Sequence, residues 1–344
     1  MGGEPRTRSP TSFDVARRAG VSRSTVSRAF TSGAPVSPEV RARVLDAAEA
    51  LGYRVNALAR GLQARHSRLV GIVASRLDTP FRALQVRCLA QNLLREGLDP
   101  LLLVADRGED IRALIQNILS YSVSGVIVTS DTPAPEVVEA CNRAGVPLVM
   151  INRGPASAGA DTVCMDLDAG GRAAFEMLRA GGVTRFALLA PAERTWSVTG
   201  RAEAFLACCR AEGLPVTTIE SAGQSHAAGH AAADAVEAAT HADGVQGVFC
   251  ATDLLALGVL DRLRHERGLD IPGKVQLVGF DDIEQAGWSA YALSTIRQDV
   301  AQQAAAAVEL ALARLASPDR PFETRTFGIS KVLRGTTRWG TERT

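Results

Sequence analysis

The 344-residue sequence predicts a small all-α domain followed by an α/β body of two doubly wound parallel sheets. Three observations carry this. Before Leu69 there is no strand-like run, only short helical stretches. From Leu69 onward short apolar runs alternate with longer amphipathic ones, the rhythm of βαβ units with helices on both faces of a parallel sheet. That rhythm then runs a second time, to about residue 293. At 46% hydrophobic residues the chain has enough apolar material for several cores.

In the head, helices are predicted over Ser12 to Ala19, Ser22 to Ala29 and Pro38 to Leu51. Gly20 supplies the left-handed residue that ends the first, Val21 plugs the gap, and Ser22 caps the second. Ser37 and Pro38 form an N-cap and a first helical residue, and Gly52 closes the third helix. Two short helices joined at one glycine meet at a steep angle, the helix-turn-helix geometry, in which the second helix enters a DNA major groove. It offers Arg23 and Ser24 outward and Val26 and Ala29 inward, with Thr25, Ser27 and Arg28 within reach of phosphates or base edges. The next segment, LGYRVNALARGLQARHS, holds an Arg-rich amphipathic piece too short to persist alone in water. A minor groove and a second copy would stabilise it, with Leu62 as a wedge between base steps.

In the body, LVGIVAS, PLLLVAD, GVIVTS and PLVMIN read as buried strands of a first unit. TVCMD, FALLA, PVTTIE, GVFCA and VQLVGFD read as strands of a second. LSTIRQD, an alanine-rich helix from Val300 to Ala316 and RTFGISKVLRG then return the chain between the units more than once. The boundaries that follow are 1–52 for the head, 53–68 for a hinge helix and linker, 69–162 plus 296–326 for one subdomain, and 163–295 plus 327–344 for the other.

Charge divides the same way. The net charge is +1, yet residues 1–68 carry +7, from 12 Arg against 5 acidic residues, and the remainder −6. A basic head on a mildly acidic body implies a polyanion partner for the head alone. No apolar run reaches the ~20 residues of a membrane span, and the N-terminus lacks the apolar core of a signal peptide, so a cytoplasmic location is expected. Cys88, Cys141, Cys164, Cys208, Cys209 and Cys250 lie among apolar residues without CxxC spacing, which predicts buried thiols in a reducing compartment. His226 and His230 are spaced as a metal pair, but no acidic third ligand lies nearby in sequence, and neither metal nor cofactor is expected. Phosphate-loop, dinucleotide and nucleophile-elbow motifs are missing, and the adjacent Asp281 and Asp282 diverge too much for a paired-carboxylate hydrolase, so no catalysis is expected.

DVARRAGVSRSTVSRAF followed by VSPEVRARVLDAAEALGYRVNALARGL resembles the DNA-binding head and hinge of the LacI/GalR family of bacterial transcription regulators. The likeness continues through GVIVTS, GVPLVMINR, GVFCATDLLALG, VGFDD and STIRQD in family order. It implies a periplasmic-binding-protein-like body, a homodimer or tetramer on a pseudo-palindromic operator, and a small effector in the cleft; the short polar end without a leucine heptad favours the dimer. It also implies Arg23 and Ser24 as the main base-reading pair, Thr25, Ser27 and Arg28 as further contacts, and Asn56, Ala59 and Leu62 in the hinge. Two departures are Arg54 and Val55 in place of the proline after the tyrosine, and Thr31 where an asparagine is usual.

Open α/β sheets bind ligands beyond the carboxyl ends of their strands. Asp78 and Phe81, Asn152 and Arg153, Arg201, Thr252 and Asp253, Asp281 and Trp288 stand at such positions. Carboxylates and guanidiniums grip sugar hydroxyls, and an aromatic face covers the C–H side. The resemblance implies Asn152, Arg201, Thr252, Asp253 and Asp281 on the effector side. Gln224 stands where many relatives carry an aromatic. A sugar-type effector of a repressor is thus the expectation; the alternative is a carbohydrate-binding protein without a DNA role.

Overall fold

The structure, a computed structural model, describes residues 10–31, 33–54, 67–105, 111–129, 135–152, 159–192 and 195–338. The chain divides into two compact units, Met1–Ser67 and Arg68–Thr344, each with its own core.

The first unit holds α1 (Ser12–Ala19), α2 (Arg23–Ala29) and α3 (Pro38–Leu51). At the start of α1 the backbone N–H and hydroxyl of Thr11 donate to Asp14 Oδ2 at 2.9 and 2.7 Å. The helix stops because Gly20 takes φ +65°, a conformation open to glycine at no steric cost. The Val21 N–H then turns back to the Ala16 carbonyl at 3.0 Å. Ser22 starts α2 by accepting from the Thr25 N–H at 3.2 Å, and Ser37 caps α3 ahead of Pro38. Val15, Ala16, Ala19, Val26, Ala29, Val44, Ala47 and Ala48 form the core, with Val21, Phe30 and Tyr53 packed around it. Five of these eight core residues are alanines, so the helix backbones approach closely around three valines.

The second unit is built on two six-stranded sheets. The first contains β1 (Leu69–Ala74), β2 (Asp99–Val104), β3 (Gly125–Val128), β4 (Leu148–Ile151), β5 (Asp161–Met165) and β11 (Thr324–Phe327). Their order is β11-β5-β4-β3-β1-β2, all parallel. The second contains β6 (Phe186–Pro191), β7 (Val216–Ser221), β8 (Gly247–Cys250), β9 (Gln276–Asp281), β10 (Thr295–Gln298) and β12 (Ile329–Val332), in the order β12-β10-β9-β8-β6-β7. Only the β10–β12 pair is antiparallel.

Helices α4 (Pro80–Arg95), α5 (Ile111–Ser120), α6 (Pro135–Arg143) and α11 (Val300–Ala316) pack on the first sheet. Helices α7 (Leu167–Ala180), α8 (Trp196–Ala211), α9 (His226–Ala242) and α10 (Asp253–Leu260) pack on the second. Strand alternation sends Val70, Ile72 and Ile127 toward α4 and α11, and Val73, Val126 and Val128 toward α5 and α6. In the second sheet Phe186, Phe249 and Phe280 join Phe175 of α7 and Phe205 of α8 in one aromatic core. A Cβ at Gly171 on α7 would stand 2.3 Å from the Arg201 carbonyl, so only glycine lets α7 and α8 cross at that residue.

The sheets differ from the boundaries expected at 162/163 and 295/296. β5, expected to open the second subdomain, pairs with β4 through Met150 and Thr162 and belongs to the first. Its Asp161 meets Arg314 of α11 at 2.9 Å, both side chains buried, which ties the strand to that layer. β10 belongs to the second sheet through Thr295 and Gly279 rather than to the first. There the Thr295 hydroxyl donates to the buried Asp253 carboxylate at 2.5 Å. Apolar periodicity marks a strand but is silent on which of two sheets takes it up.

Candidate functional site

Two surfaces gather the polar residues singled out from sequence. In the first unit α2 turns Arg23, Ser24, Ser27 and Arg28 outward, while Val26 and Ala29 are buried and Thr25 is half-buried. The hydroxyls of Ser24 and Thr25 lie 2.7 and 2.9 Å from Ser22 Oγ, so the cap also orders the first turn of the outward face. Arg28 Nη2 donates to Ser24 Oγ at 3.4 Å. The Arg23 guanidinium carbon stands 4.0 Å from the ring centroid of Phe13, an α1 residue left 59% exposed. An exposed aromatic under a cation holds that cation in place. Arg41 of α3 donates to the carbonyls of Ala29, Thr31 and Ala34, closing the open end of α2. Neither Phe13 nor Arg41 stands out in sequence. Asn56, Ala59 and Leu62 lie outside the described residues.

In the second unit a cleft of ≈ 580 Å³, its open mouth included, lies at the carboxyl ends of the strands. Arg76, Thr79, Phe81 and Arg82 enter it from the β1–α4 turn and the start of α4, and Asn152 from the end of β4. Opposite them stand Thr195, Ser197 and Arg201 at the start of α8, Gln224 before α9, Thr252 before α10, Asp281 ending β9 and Gln298 ending β10.

The centre of the cleft is built around Asp281. Arg201, buried on α8, lays its guanidinium 4.1 Å from the Phe280 ring centroid, and its Nη1 lies 3.5 Å from Asp281 Oδ1. Gln298 Nε2 donates to the same oxygen at 2.8 Å. Burial pushes the Asp281 carboxyl up to about 6, although Arg201, Gln298 and Arg82 pull the other way. Asp281 and Asn152 both hold positive φ, +119° and +59°, conformations that non-glycine residues rarely adopt and that cluster at ligand sites. Arg82 is buried, donating through Nη1 to the Thr129 carbonyl and to Gln85 Oε1. Asn152 Oδ1 and Gln298 Oε1 are buried and accept no hydrogen bond among the described residues. Buried acceptors are nearly always hydrogen-bonded, to protein, to water or to a ligand.

Not every expected residue lines this cleft. Asp253 is 0% exposed and turns under it, accepting the Ile283 N–H at 2.9 Å and the Thr295 hydroxyl at 2.5 Å. Burial and then the nearby Asp281 push its carboxyl up to about 7, against the pull of those two hydrogen bonds. Its role is to bolt α10, β10 and the β9 exit together; the neighbouring N-cap Thr252 is the residue that faces the cleft. Trp288 is 50% exposed and stacks on Tyr291 at 6.5 Å, beyond the 3-10 turn Glu284–Gly287 and apart from the cleft lining. Asp78 is exposed in the β1–α4 turn, where Thr79 and Pro80 rather than Asp78 face the cavity. Arg153 lies outside the described residues. His226 and His230 are engaged with Asp261 and Glu266, each at 2.7 Å. Among the described residues no group of three or more His, Cys, Asp or Glu could hold a metal ion.

Arg76, Arg82, Ser197 and Gln298 line the cleft as well, outside the residues the sequence singles out. The signal was weak but present: Arg76 and Arg82 flank the Thr79-Pro80 helix start after a buried strand, and Gln298 sits in STIRQD at the end of another.

Residues 13–56 match the family described as bacterial regulatory proteins, lacI family, and residues 175–337 match the periplasmic binding protein-like domain. The HTH-type transcriptional regulator MalR of Streptomyces coelicolor is 30% identical over 336 residues, spanning 94% of this chain and 95% of MalR. The chain belongs to the LacI family of bacterial regulatory proteins. Solved structures agree with that placement. The lac repressor dimer bound to operator and the anti-inducer ONPF superposes with a TM-score of 0.83 at 24% identity, covering 96% of this chain and 99% of that one, and so shares the fold. The transcriptional regulator CelR in complex with cellobiose gives a TM-score of 0.69 at 26% identity over 95% of this chain and 99% of CelR. This LacI-family chain is therefore a DNA-binding transcriptional regulator and not an enzyme. No helix among its described residues is long and apolar enough to cross a membrane.

Proposed function

We propose that this LacI-family regulator is a cytoplasmic repressor, acting as a homodimer on a pseudo-palindromic operator, whose hold on DNA is set by a carbohydrate-type effector in the cleft. The observation that carries the effector half is the buried Arg201–Asp281 pair together with two buried amide oxygens that accept no hydrogen bond among the described residues, in the space where both sheets end. Such a site offers donors, acceptors and charge to a small polyhydroxylated ligand. CelR, similar over nearly the whole chain, is a regulator in complex with cellobiose.

On the DNA side Arg23 and Ser24 read base edges from the tip of α2. Thr25, Ser27 and Arg28 fix its register on the backbone, and Asn56, Ala59 and Leu62 act in the hinge. One head reads one half-site, so two copies related by a two-fold axis match a palindrome. Asn152, Arg201, Thr252 and Asp281 hold the effector, with Phe81 against its C–H face. An effector that binds one arrangement of the lobes more tightly shifts the population of operator-competent dimers by that difference in affinity.

The test is electrophoretic retardation of fragments upstream of its own gene and neighbouring genes, with and without a panel of sugars, sugar acids, polyols and nucleobases. Failure to retard any fragment at low salt refutes the operator assignment. Retardation indifferent to every compound refutes the effector assignment.

A further inference from the structure

The exit of β9 sends its two carboxylates in different directions. Asp281 faces the cleft, while Asp282 is not among the described residues that line it. The Asp282 side chain, 7% exposed, is held instead by two guanidiniums. Arg297 Nε donates to its Oδ2 at 2.5 Å and Arg334 Nη2 to its Oδ1 at 2.7 Å. Both carboxylate oxygens therefore accept from charged donors, the stronger kind of hydrogen bond.

The two arginines come from neighbouring strands of the same sheet. Arg297 lies on β10 opposite Asp281 in the β9–β10 register, and Arg334 stands just beyond β12. Arg334 is itself fixed: its Nη1 donates to the Leu293 carbonyl at 2.8 Å and its backbone N–H to Ser294 Oγ at 2.9 Å. Asp282 is thus tied to β10, to the residues that lead into it and to the chain after β12.

A second observation concerns the backbone that carries the two carboxylates. Asp281 has φ +119° and Asp282 φ +53°. Two consecutive residues with side chains hold such conformations only where their surroundings fix them there. On the cleft side Gln298 Nε2 stands 2.8 Å and Arg201 Nη1 3.5 Å from Asp281 Oδ1. Asp282 with its two arginines is the fixed point on the other side of the bend. Relaxation of Asp281 to negative φ turns its Cβ about the N–Cα bond and carries the carboxylate away from Gln298 and Arg201.

From this geometry we infer that Asp282, Arg297 and Arg334 are positioning residues of the effector site, holding the bend that presents Asp281 to the ligand without lining the cleft themselves. This rests on the cleft being the effector site.

Isothermal titration calorimetry on the full-length protein tests it, with D-ribose, D-glucose, cellobiose, sorbitol, D-gluconate and adenine as probes. The temperature is set well below the unfolding midpoint of every variant, where a merely structural role leaves affinity unchanged. Arg334→Met is expected to weaken the probe that the wild type binds most tightly by about tenfold or more, and Arg334→Lys, which keeps a cation beside Asp282, by less. Asp282→Asn is expected to match Arg334→Met, and the double variant to lose no more than about threefold beyond either alone, because both changes break one interaction. If Arg334→Met fails to fold, Arg297→Gln, on a side chain 55% exposed, carries the test with an expected loss of about threefold or more. Folded variants that bind within about twofold of the wild type, a lysine variant as weak as the methionine one, or losses that multiply in the double variant would overturn the inference and leave the cleft assignment standing. Operator retardation by a wild type that binds none of the probes would overturn the effector reading and this inference with it.

Discussion

Replacing Arg41 by methionine removes a guanidinium while keeping an apolar stem of similar reach. In the head that guanidinium collects three carbonyls, Ala29, Thr31 and Ala34, the last two at 3.2 Å, where α2 ends and the chain turns toward α3. A hydrogen bond from a charged donor stabilises by ~1.5–3 kcal/mol when dry; two of these are partly buried and the one to Thr31 is exposed, so water replaces much of the loss and at most about 1 kcal/mol each, up to about 3 in all, is the expected cost. At roughly 0.05–0.15 kcal/mol per residue, a head of about 45 residues has ~2–7 kcal/mol in total. The variant head should therefore lose roughly half or more of its stability and, at the low end of that range, reach its unfolding midpoint. Hydrogen exchange measured by mass spectrometry should show protection in α1 to α3 falling by about 100-fold, while peptides of α7 to α10 keep theirs because that unit has separate cores. Operator affinity should fall only by the loss in folded fraction, less than protection does, with the slope of log affinity against log salt unchanged. A slope smaller by about one would instead mark Arg41 as a phosphate contact. Protection in α2 and α3 falling less than threefold would refute the capping argument.

Arg23→Ala should cost about 1–3 kcal/mol of discrimination at the base it reads, scored by retardation of operators mutated one position at a time; a uniform loss across all sequences would refute base reading. Arg201→Ala should abolish the effect of the effector on retardation, with operator binding in the same gel reporting whether the variant folds. Asp253 and Asp281 have their carboxyls pushed up to about 7 and about 6, so the folded body takes up protons that the unfolded chain does not. Their contribution to stability is present in full near pH 4 and is lost as pH rises through 6 to 7. The unfolding midpoint of the body from pH 5 to 8 should thus fall more steeply in the wild type than in Asp253→Asn, and equal slopes would refute the Asp253 burial argument.

Local signals made the head legible residue by residue. Gly20, Ser22, Ser37 with Pro38, and Gly52 each fix one backbone conformation or one orphan N–H, and the helices begin and end at them. The strands of the body were legible for the same kind of reason, since a buried parallel strand is a short continuous apolar run. The destination of β5 and β10 was not, because it depends on a contact between residues far apart in sequence, Asp161 with Arg314 and Asp253 with Thr295. The cleft shows the same divide. Asn152, Arg201, Thr252 and Asp281 were found as polar residues at strand ends and helix starts. Asp253 looks the same in sequence as Thr252, yet one residue of helical rotation turns it inward. Arg82 is not legible in the same way, since an arginine at a helix start normally reads as a solvated charge and only the packing of α4 buries it.

The placement of β11 and β12 has a consequence for synthesis. The head needs nothing beyond residue 54 of those described, so it can fold as soon as it leaves the ribosome. Each body sheet, in contrast, takes an edge strand from residues 324–332. Neither lobe can seal its outermost strand, β5 in one case and β10 in the other, until nearly all of the described body has been made. During translation a DNA-reading head is therefore tethered to a body with two open strand edges. A ribosome stalled before residue 324 would yield a chain with a complete helix-turn-helix head and neither body sheet complete.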